Sequence, residues 1–137
     1  MLVAPGAIFG IPKKIKPRAF KTKKFSHNAK DAHISDDDLC KVIKQVLAGQ
    51  VVDLGGGVYK KRLNKNQHRS IILAKGGAYW IYAYLFAKSD RDNIDDAELE
   101  MFRLLAKSYE ALDRSQLAQL IEEKHLMEIF YDHEKEI

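Results

Sequence analysis

The chain has 137 residues, with 46% hydrophobic and 31% charged side chains, proportions typical of a globular protein with one core. No stretch reaches the roughly 18 apolar residues of a membrane-spanning helix, and the amino-terminal cations follow the first apolar residues, so we expect a cytoplasmic protein without a membrane partner. The single cysteine, Cys40, excludes an internal disulfide framework and fits a reducing compartment.

The net charge of +4 is unevenly distributed along the chain. Residues 1–75 carry 16 Lys/Arg and 5 Asp/Glu, a net +11, whereas residues 76–137 carry 7 and 14, a net −7. Such a chain can present a basic face to a polyanion. Alternatively, the two halves neutralise each other across the fold, and composition leaves both interpretations open.

The first 18 residues predict an arm rather than a regular element. They combine prolines with cations: Pro5, Pro12, Pro17, Lys13, Lys14, Lys16 and Arg18. Proline excludes a continuous helix or a central strand here. We therefore predict a basic arm over residues 1–18, one domain over residues 19–131 and a tail over residues 132–137.

A short strand and a helix are predicted to open the domain. The alternation from Ala19 to Phe25 predicts a strand, and its lysines favour an edge position because lysine protects exposed edges. Ser35, with Asp38 three residues on, predicts a capping box at the start of a helix that Gly49 stops. The helix carries an apolar stripe that should pack on the sheet: Leu39, Val42, Ile43, Val46 and Leu47. Cys40 lies on this helix, and we expect it to be buried and structural.

Three consecutive antiparallel strands are predicted after Gly55-Gly56-Gly57. They are Val58–Leu63, Arg69–Ala74 and Tyr79–Ala87, joined by a loop over residues 64–67 and by a hairpin turn at Lys75-Gly76-Gly77. The third strand is apolar on both faces, which predicts a central position, with its aromatic side chains in the core. The triple glycine predicts a bend or bulge, because no Gly-Lys-Ser/Thr and no helix follow it, as a phosphate loop requires.

Two further helices and a short final element complete the prediction. Asn93 or Asp95 caps the first of these two helices, and Asp113 with Gln116 forms a capping box for the second. Residues 127–131 predict a final strand or turn. The fold class is thus α+β: a small antiparallel or mixed sheet of about four strands, packed by an N-terminal helix and C-terminal helices.

The chemistry that these residues permit is that of cations on a sheet. No histidine pair has the spacing of a helical zinc site and neither glycine cluster forms a dinucleotide fingerprint, so we expect no metal and no cofactor. No Gly-x-Ser-x-Gly elbow is present, which disfavours a serine triad. Cations gather on and between the first two strands after the glycines: Lys60, Lys61, Arg62, Lys65, Arg69 and Lys75, with Tyr59 and His68 among them. Such a group can bind phosphates, and it can also cleave RNA if a crowded lysine acts as a base and arginines stabilise the phosphorane. Residue chemistry alone favours binding over cleavage.

Four blocks of sequence carry a resemblance to a known family. They are Phe20–Lys23 (Phe-Lys-Thr-Lys), Ile34–Cys40 (Ile-Ser-Asp-Asp-Asp-Leu-Cys), Leu54–Arg62 (Leu-Gly-Gly-Gly-Val-Tyr-Lys-Lys-Arg) and Phe86–Ile94. From about Phe20 to Ile129 the chain resembles the RelE/ParE superfamily of bacterial type II toxin–antitoxin systems, most closely its RelE-like branch. The resemblance implies a small α+β toxin that cleaves mRNA on the ribosome. It also implies a cognate antitoxin, usually a helix-turn-helix protein, through which alone operator DNA is contacted.

The resemblance also implies a set of site residues. Lys60 and Arg62 occupy the positions of the two alternate cations that face the mRNA, and Arg69 that of the phosphate-binding arginine on the next strand. His68 is a candidate acid–base group. Together these four are the predicted catalytic residues. The predicted RNA contacts are Lys61, Lys65, Lys75, Lys88 and Arg91.

This sequence departs from the branch at two places. Residues 64–68 replace the usual Gly-Lys-Ser-Gly-Gly-Tyr, and Ser89 and Ile94 stand nearest to where RelE nucleases have an arginine and a tyrosine, with Lys88 and Arg91 as candidate substitutes for the charge. Two alternatives therefore stay open. One is a catalytically inactive binding or corepressor partner of an antitoxin, and the other is a ParE-like gyrase inhibitor.

Overall fold

A mixed sheet with two helices on each face forms the part of the chain that the computed structural model describes, residues 17–76 and 79–129. The elements in chain order are β1 (Arg18–Thr22), α1 (Lys23–Asp31), α2 (Asp36–Leu47), β2 (Val52–Gly55), β3 (Val58–Leu63), β4 (His68–Lys75), β5 (Tyr79–Ala87), α3 (Asp96–Glu110), α4 (Arg114–Glu122) and β6 (Leu126–Ile129). The predicted α+β class is confirmed. The sheet has six strands rather than about four, because β2 and β6 are too short to show a clear alternation.

The strands lie in the order β2-β3-β4-β5-β1-β6. All neighbouring pairs are antiparallel except β1 and β5, which are parallel. The central position predicted for β5 is confirmed, but the predicted edge position of β1 is wrong, since β1 lies between β5 and β6. Lys21 does not protect an edge: its Nζ donates to Asp36 Oδ1 over 2.6 Å.

The first strand ends earlier than the alternation predicts. The Thr22 side chain accepts a hydrogen bond from the Phe25 backbone N–H over 3.1 Å, so it caps α1. Residues 23–25 are consequently helical rather than extended. Phe25 and Ala29, four residues apart, are the buried side chains of this otherwise polar helix.

The predicted caps of the later helices are confirmed. Ser35 and Asp38 exchange both capping-box hydrogen bonds, α2 ends at Leu47, and Gly49 follows with a φ of +89°. Asp95 caps α3, and Asp113 with Gln116 caps α4 in the same manner. Cys40 is buried, as its place on α2 predicts.

Two apolar cores lie on opposite faces of the sheet. The α1–α2 face packs side chains such as Phe25, Leu39, Ile72 and Tyr82, and the α3–α4 face packs side chains such as Val58, Leu73, Ile81 and Phe102. Because successive residues of a strand point to opposite faces, β3 and β4 contribute to both cores. The same alternation decides which of their cations share a face.

The triple glycine forms the turn between β2 and β3, with positive φ at all three residues. The pairing register shifts between Asp53 and Gly55, which confirms the predicted bend or bulge. Arg103 of α3 covers this turn by donating to Leu54 O (2.5 Å) and Gly55 O (3.3 Å). A Cβ on Gly56 would lie 2.8 Å from Arg103 Cγ, so the turn requires glycine.

The described residues test only part of the predicted boundaries of the domain. Arg18, assigned to the arm, begins β1, and β6 falls largely within the residues predicted as a final strand or turn. The rest of the arm up to residue 16, Gly77 of the hairpin turn and the tail over 132–137 lie outside the described residues. In the described ranges, no helix has the length and apolar character needed to span a bilayer.

Candidate functional site

Three cations share the α3–α4 face, beyond the part that Phe102 and Ala106 of α3 cover. Lys60 and Arg62 alternate on β3, and Arg62 lies directly opposite Arg69 on β4. Two arginines facing each other across a strand pair repel and cost stability. An anion bound between them would relieve that repulsion, so the arrangement points to binding rather than to folding.

A cleft of about 480 Å³ opens over these cations. Its lining residues define what we call the cationic cleft: Gln50, Val51, Val52, Lys60, Lys61, Arg62, Arg69 and Asp92. Four of the eight are cations and one is a carboxylate. Such a lining attracts a polyanion and suits charge-assisted hydrogen bonds to phosphate oxygens.

The three cations differ in how firmly the protein holds them. Arg62 is exposed and makes no hydrogen bond or ion pair with another residue of the described ranges. Lys60 Nζ donates to Asn93 Oδ1 over 3.3 Å. Arg69 is only 9% exposed, and its Nη1 donates to Asn66 O (3.0 Å) and His68 O (3.2 Å). Arg62 is thus free to meet a ligand, whereas Arg69 also supports the loop before its own strand.

The loop between β5 and α3 (residues 88–95) borders the cleft and is fixed by Arg91. The Arg91 guanidinium donates to Glu98 Oε1 (2.5 Å) and Oε2 (3.0 Å), to Asn93 O (2.9 Å) and to the Tyr84 hydroxyl (3.4 Å), and lies over the Phe86 ring. The hydrogen bonds from Arg91 hold the pKa of Glu98 below its ordinary value, and Glu98 raises the pKa of Arg91.

Asn93 connects this loop to the catalytic candidates. Its side chain meets Lys60 on β3, while its carbonyl accepts from Arg91. Asp92 and Asn93 both lie in the Phe86–Ile94 block that carries the resemblance, but the sequence predicts an individual role only for Asn93, as a candidate helix cap, and none for Asp92. Loop residues have no fixed side-chain period, so spacing offered no signal for either.

The geometry so described agrees with the comparison to known families. The family model for the RelE toxin of the RelE/RelB toxin–antitoxin system matches residues 17–129, which contain every described strand and helix. The chain belongs to the RelE toxin family. It is therefore the toxin of a toxin–antitoxin system, with an antitoxin as its partner. Neither the curated proteins nor the solved structures provide a match to it.

In this RelE-family toxin, strand alternation sends two predicted site residues to the α1–α2 face. His68 faces away from the cleft, with its Nδ1 3.1 Å from Asn64 Nδ2. Lys61 reaches the rim of the cleft but donates its Nζ to Gln50 O over 2.7 Å, and desolvation by burial lowers the pKa of this lysine. The structure therefore brings Lys60, Arg62 and Arg69 together without His68.

Lys75 lies at the other end of the toxin. Six residues along β4 separate it from Arg69, a distance of about 20 Å. Its Nζ donates to Glu110 O (3.2 Å) and Leu112 O (2.8 Å) at the carboxyl end of α3. Lys75 was grouped with the other cations by its sequence position, but the fold places it away from them, where it caps the carboxyl end of α3.

Lys65 and Lys88 lie together at the end of the sheet, beside the β3–β4 loop (residues 64–67). Both line a second groove, of about 570 Å³, that also includes Gln67 and His68. The Lys88 N–H donates to Gln67 O over 2.9 Å, which ties the two loops together. These lysines extend the positive charge beyond the cationic cleft.

Proposed function

We propose that this toxin inhibits translation by cleaving mRNA on the ribosome, in the cytoplasm. The observation that carries the proposal is the placement of Lys60, Arg62 and Arg69 on one face of two neighbouring strands, under an open cleft. Family membership supports it, because the resemblance in the β3 segment covers two of these cations, Lys60 and Arg62. The antitoxin we propose is a helix-turn-helix protein, through which alone operator DNA is contacted.

The proposed reaction is transfer of the scissile phosphate to the neighbouring 2′-hydroxyl. Charge builds up on the phosphorane oxygens, and arginine suits their stabilisation because it stays charged and donates in a fork. Arg62 is free for this role, and Arg69 adds the donors that the loop carbonyls leave unused. Lys60, whose Nζ donates to Asn93 Oδ1, is the proposed donor of a proton to the leaving 5′-oxygen.

The path of the RNA is proposed to continue past the cleft. Lys65 and Lys88 lie at the end of the sheet next to Arg69, where a phosphate on either side of the scissile bond can reach them. Arg91 contributes indirectly, because its donors are engaged by Glu98, Asn93 and Tyr84. It holds the border of the cleft rather than the RNA.

Expression in a bacterium tests this function. The wild-type toxin should arrest growth, and primer extension should show cuts within coding sequences. Changing Lys60→Ala and Arg62→Ala together should restore growth and abolish the cuts, because both side chains are proposed to contact the phosphate. Within the described ranges, the one side-chain hydrogen bond that this double change removes is that of Lys60 to Asn93. Lys41→Ala, an exposed cation of α2 on the opposite face, serves as the matched control and should remain toxic.

Two results would contradict the proposal. Growth arrest with intact transcripts would point to another target, with inhibition of purified gyrase as the first alternative to measure. A double variant that behaves like the wild type in every growth assay, while still binding the antitoxin, would indicate a binding partner without catalysis. Arg69→Ala is left out of this test, because Arg69 also supports the β3–β4 loop and its loss could reduce toxicity through the fold.

A further inference from the structure

One carboxylate, that of Asp92, lines the cleft together with its cations. Asp92 lines the cationic cleft with Lys60, Arg62 and Arg69, yet within the described ranges it makes no hydrogen bond or ion pair. Asp95, three residues on, is engaged because it caps α3, and Asp90, two residues before, borders a different groove. The described fold thus gives Asp92 no structural role.

The backbone around Asp92 is nevertheless fixed on both sides. Arg91, before it, is fastened to Glu98 by two hydrogen bonds. Asn93, after it, accepts from Lys60 and from the Ile94 N–H (2.9 Å) through its side chain. The backbone on both sides of Asp92 is therefore held, while its exposed carboxylate remains available to a ligand in the cleft.

The proposed reaction assigns no proton acceptor among Lys60, Arg62 and Arg69. Arginine does not give up its proton, and an ammonium group has no lone pair to accept one. An ionised carboxylate is an acceptor only. Since Asp92 is the carboxylate that lines the cleft, it is the group there that can take a proton without first losing one.

We propose that Asp92 is the general base of the cleavage reaction, an inference that rests on the proposed function. The Asp92 carboxylate takes the proton of the 2′-hydroxyl as the 2′-oxygen forms its bond to phosphorus. The bond from phosphorus to the 5′-oxygen then breaks, and that oxygen takes a proton from the Lys60 ammonium group. The products are a 2′,3′-cyclic phosphate and a 5′-hydroxyl, and solvent returns the proton from Asp92 to Lys60.

The test compares Asp92→Asn with Asp90→Asn in cleavage of mRNA on purified ribosomes. Asp90 lies in the same loop, is exposed and borders a different groove, so its change removes the same charge outside the cleft. Asp92→Asn should slow cleavage by about 100-fold or more, as loss of a general base does. Its binding to a labelled RNA oligonucleotide should stay equal or become tighter, because a negative charge near the phosphate is gone. Asp90→Asn should change cleavage less than about twofold.

The pH dependence distinguishes a base from a merely electrostatic group. In the wild type, the cleavage rate should fall as the pH drops through the range in which the base is protonated; Asp92→Asn should lose this limb, and Asp92→Glu should recover it in part. If Asp92→Asn cleaves as fast as the wild type, or loses cleavage and binding in proportion, Asp92 is not the base. A wild-type protein that cuts no RNA on ribosomes overturns the proposed function itself, which is a separate result.

Discussion

Arg91 and Glu98 form a bidentate ion pair that fastens the loop before α3 to the first turn of that helix. From sequence, Arg91 was a predicted RNA contact, but its guanidinium is occupied by Glu98, Asn93 and Tyr84. The seven-residue separation of the pair crosses a loop and a helix start, a spacing for which sequence patterns give no rule. The structure thus assigns Arg91 to the support of the cleft.

The charge of Glu98 should stabilise the fold near neutral pH and lose that effect in acid. Its pKa is lowered in the folded state, so the stabilisation is present above the pKa of the unfolded chain and disappears as the pH falls through the lower, folded value. Glu98→Gln should lower the free energy of unfolding at pH 7 by up to about 1 kcal/mol. Glutamine still accepts from the Asp95 N–H, so the variant isolates the charge.

Urea unfolding of both proteins between pH 3 and pH 7 measures this effect. The gap between the two curves should close toward acid. A gap that stays constant with pH would show that the lost stability comes from packing rather than from the ion pair.

For single residues, the sequence predicts which side chains of a strand share a face of the sheet, because side chains alternate along a strand. Lys60 and Arg62 had to share a face, and they do. The same rule separates the adjacent residues His68 and Arg69, so the grouping of His68 with the other three followed from its residue type and its place beside Arg69, and not from the strand. Asp92 lies in a loop, where no periodicity relates side-chain direction to position, and only the fold reveals its place in the cleft.

The β3–β4 loop is the most strained element of the described chain. Asn64, Lys65 and Asn66 have consecutive positive φ values of 54°, 53° and 72°. Asparagine tolerates this left-handed region, but lysine does not favour it. Hydrogen bonds from Arg69 to Asn66 O and from Lys88 to Gln67 O hold the loop in place.

Relieving the strain at Lys65 should stabilise the protein. Lys65→Gly removes a Cβ from a left-handed residue, and the expected gain of about 0.5–1 kcal/mol exceeds the entropy that glycine adds to the unfolded chain. Lys88→Gly is the matched control at the same end of the sheet, because Lys88 has no positive φ and should lose stability by a similar amount. Thermal unfolding of the two variants should shift in opposite directions. A destabilised Lys65→Gly would mean that side-chain contacts of Lys65 outweigh the backbone strain.

The elements that the sequence predicts best are those with a local signal. Two helix starts are marked by capping boxes and a third by a capping residue, Asp95, and β5 is marked by its unbroken apolar run. The central position of β1 was not predictable in this way, because it depends on parallel pairing with β5, some 60 residues later. Helix α1 has a weak pattern, with two buried side chains among polar ones.

Composition left two interpretations of the charge asymmetry open, neutralisation between the two halves and a basic face for a polyanion, and the described structure contains both. The Arg18–Glu128 pair joins the basic half to the acidic half, with bidentate contacts of 2.7 Å. Lys75 is likewise absorbed by the end of α3. The cations of the cleft are not neutralised in this way, so a positive surface remains at one end of the sheet.

The salt dependence of RNA binding should reveal which cations form that surface. Each phosphate contact on single-stranded RNA contributes about −0.7 to the slope of log K against log salt concentration. Five contacts are proposed, from Lys60, Arg62, Lys65, Arg69 and Lys88, which predicts a slope of about −3.5. Fluorescence anisotropy with a labelled oligonucleotide, over a range of salt concentrations, measures it.

Variants locate the contacts on the molecule. The double change Lys60→Ala and Arg62→Ala should flatten the slope by about 1.4, because two phosphate contacts are lost. Lys75→Ala should leave it unchanged, since the Lys75 ammonium is bound to the carbonyls of Glu110 and Leu112 at the far end of the sheet. Circular dichroism confirms that each variant is folded before its slope is compared. Equal flattening by Lys75→Ala would show that RNA follows the whole length of β4 and that the cleft is only part of its path.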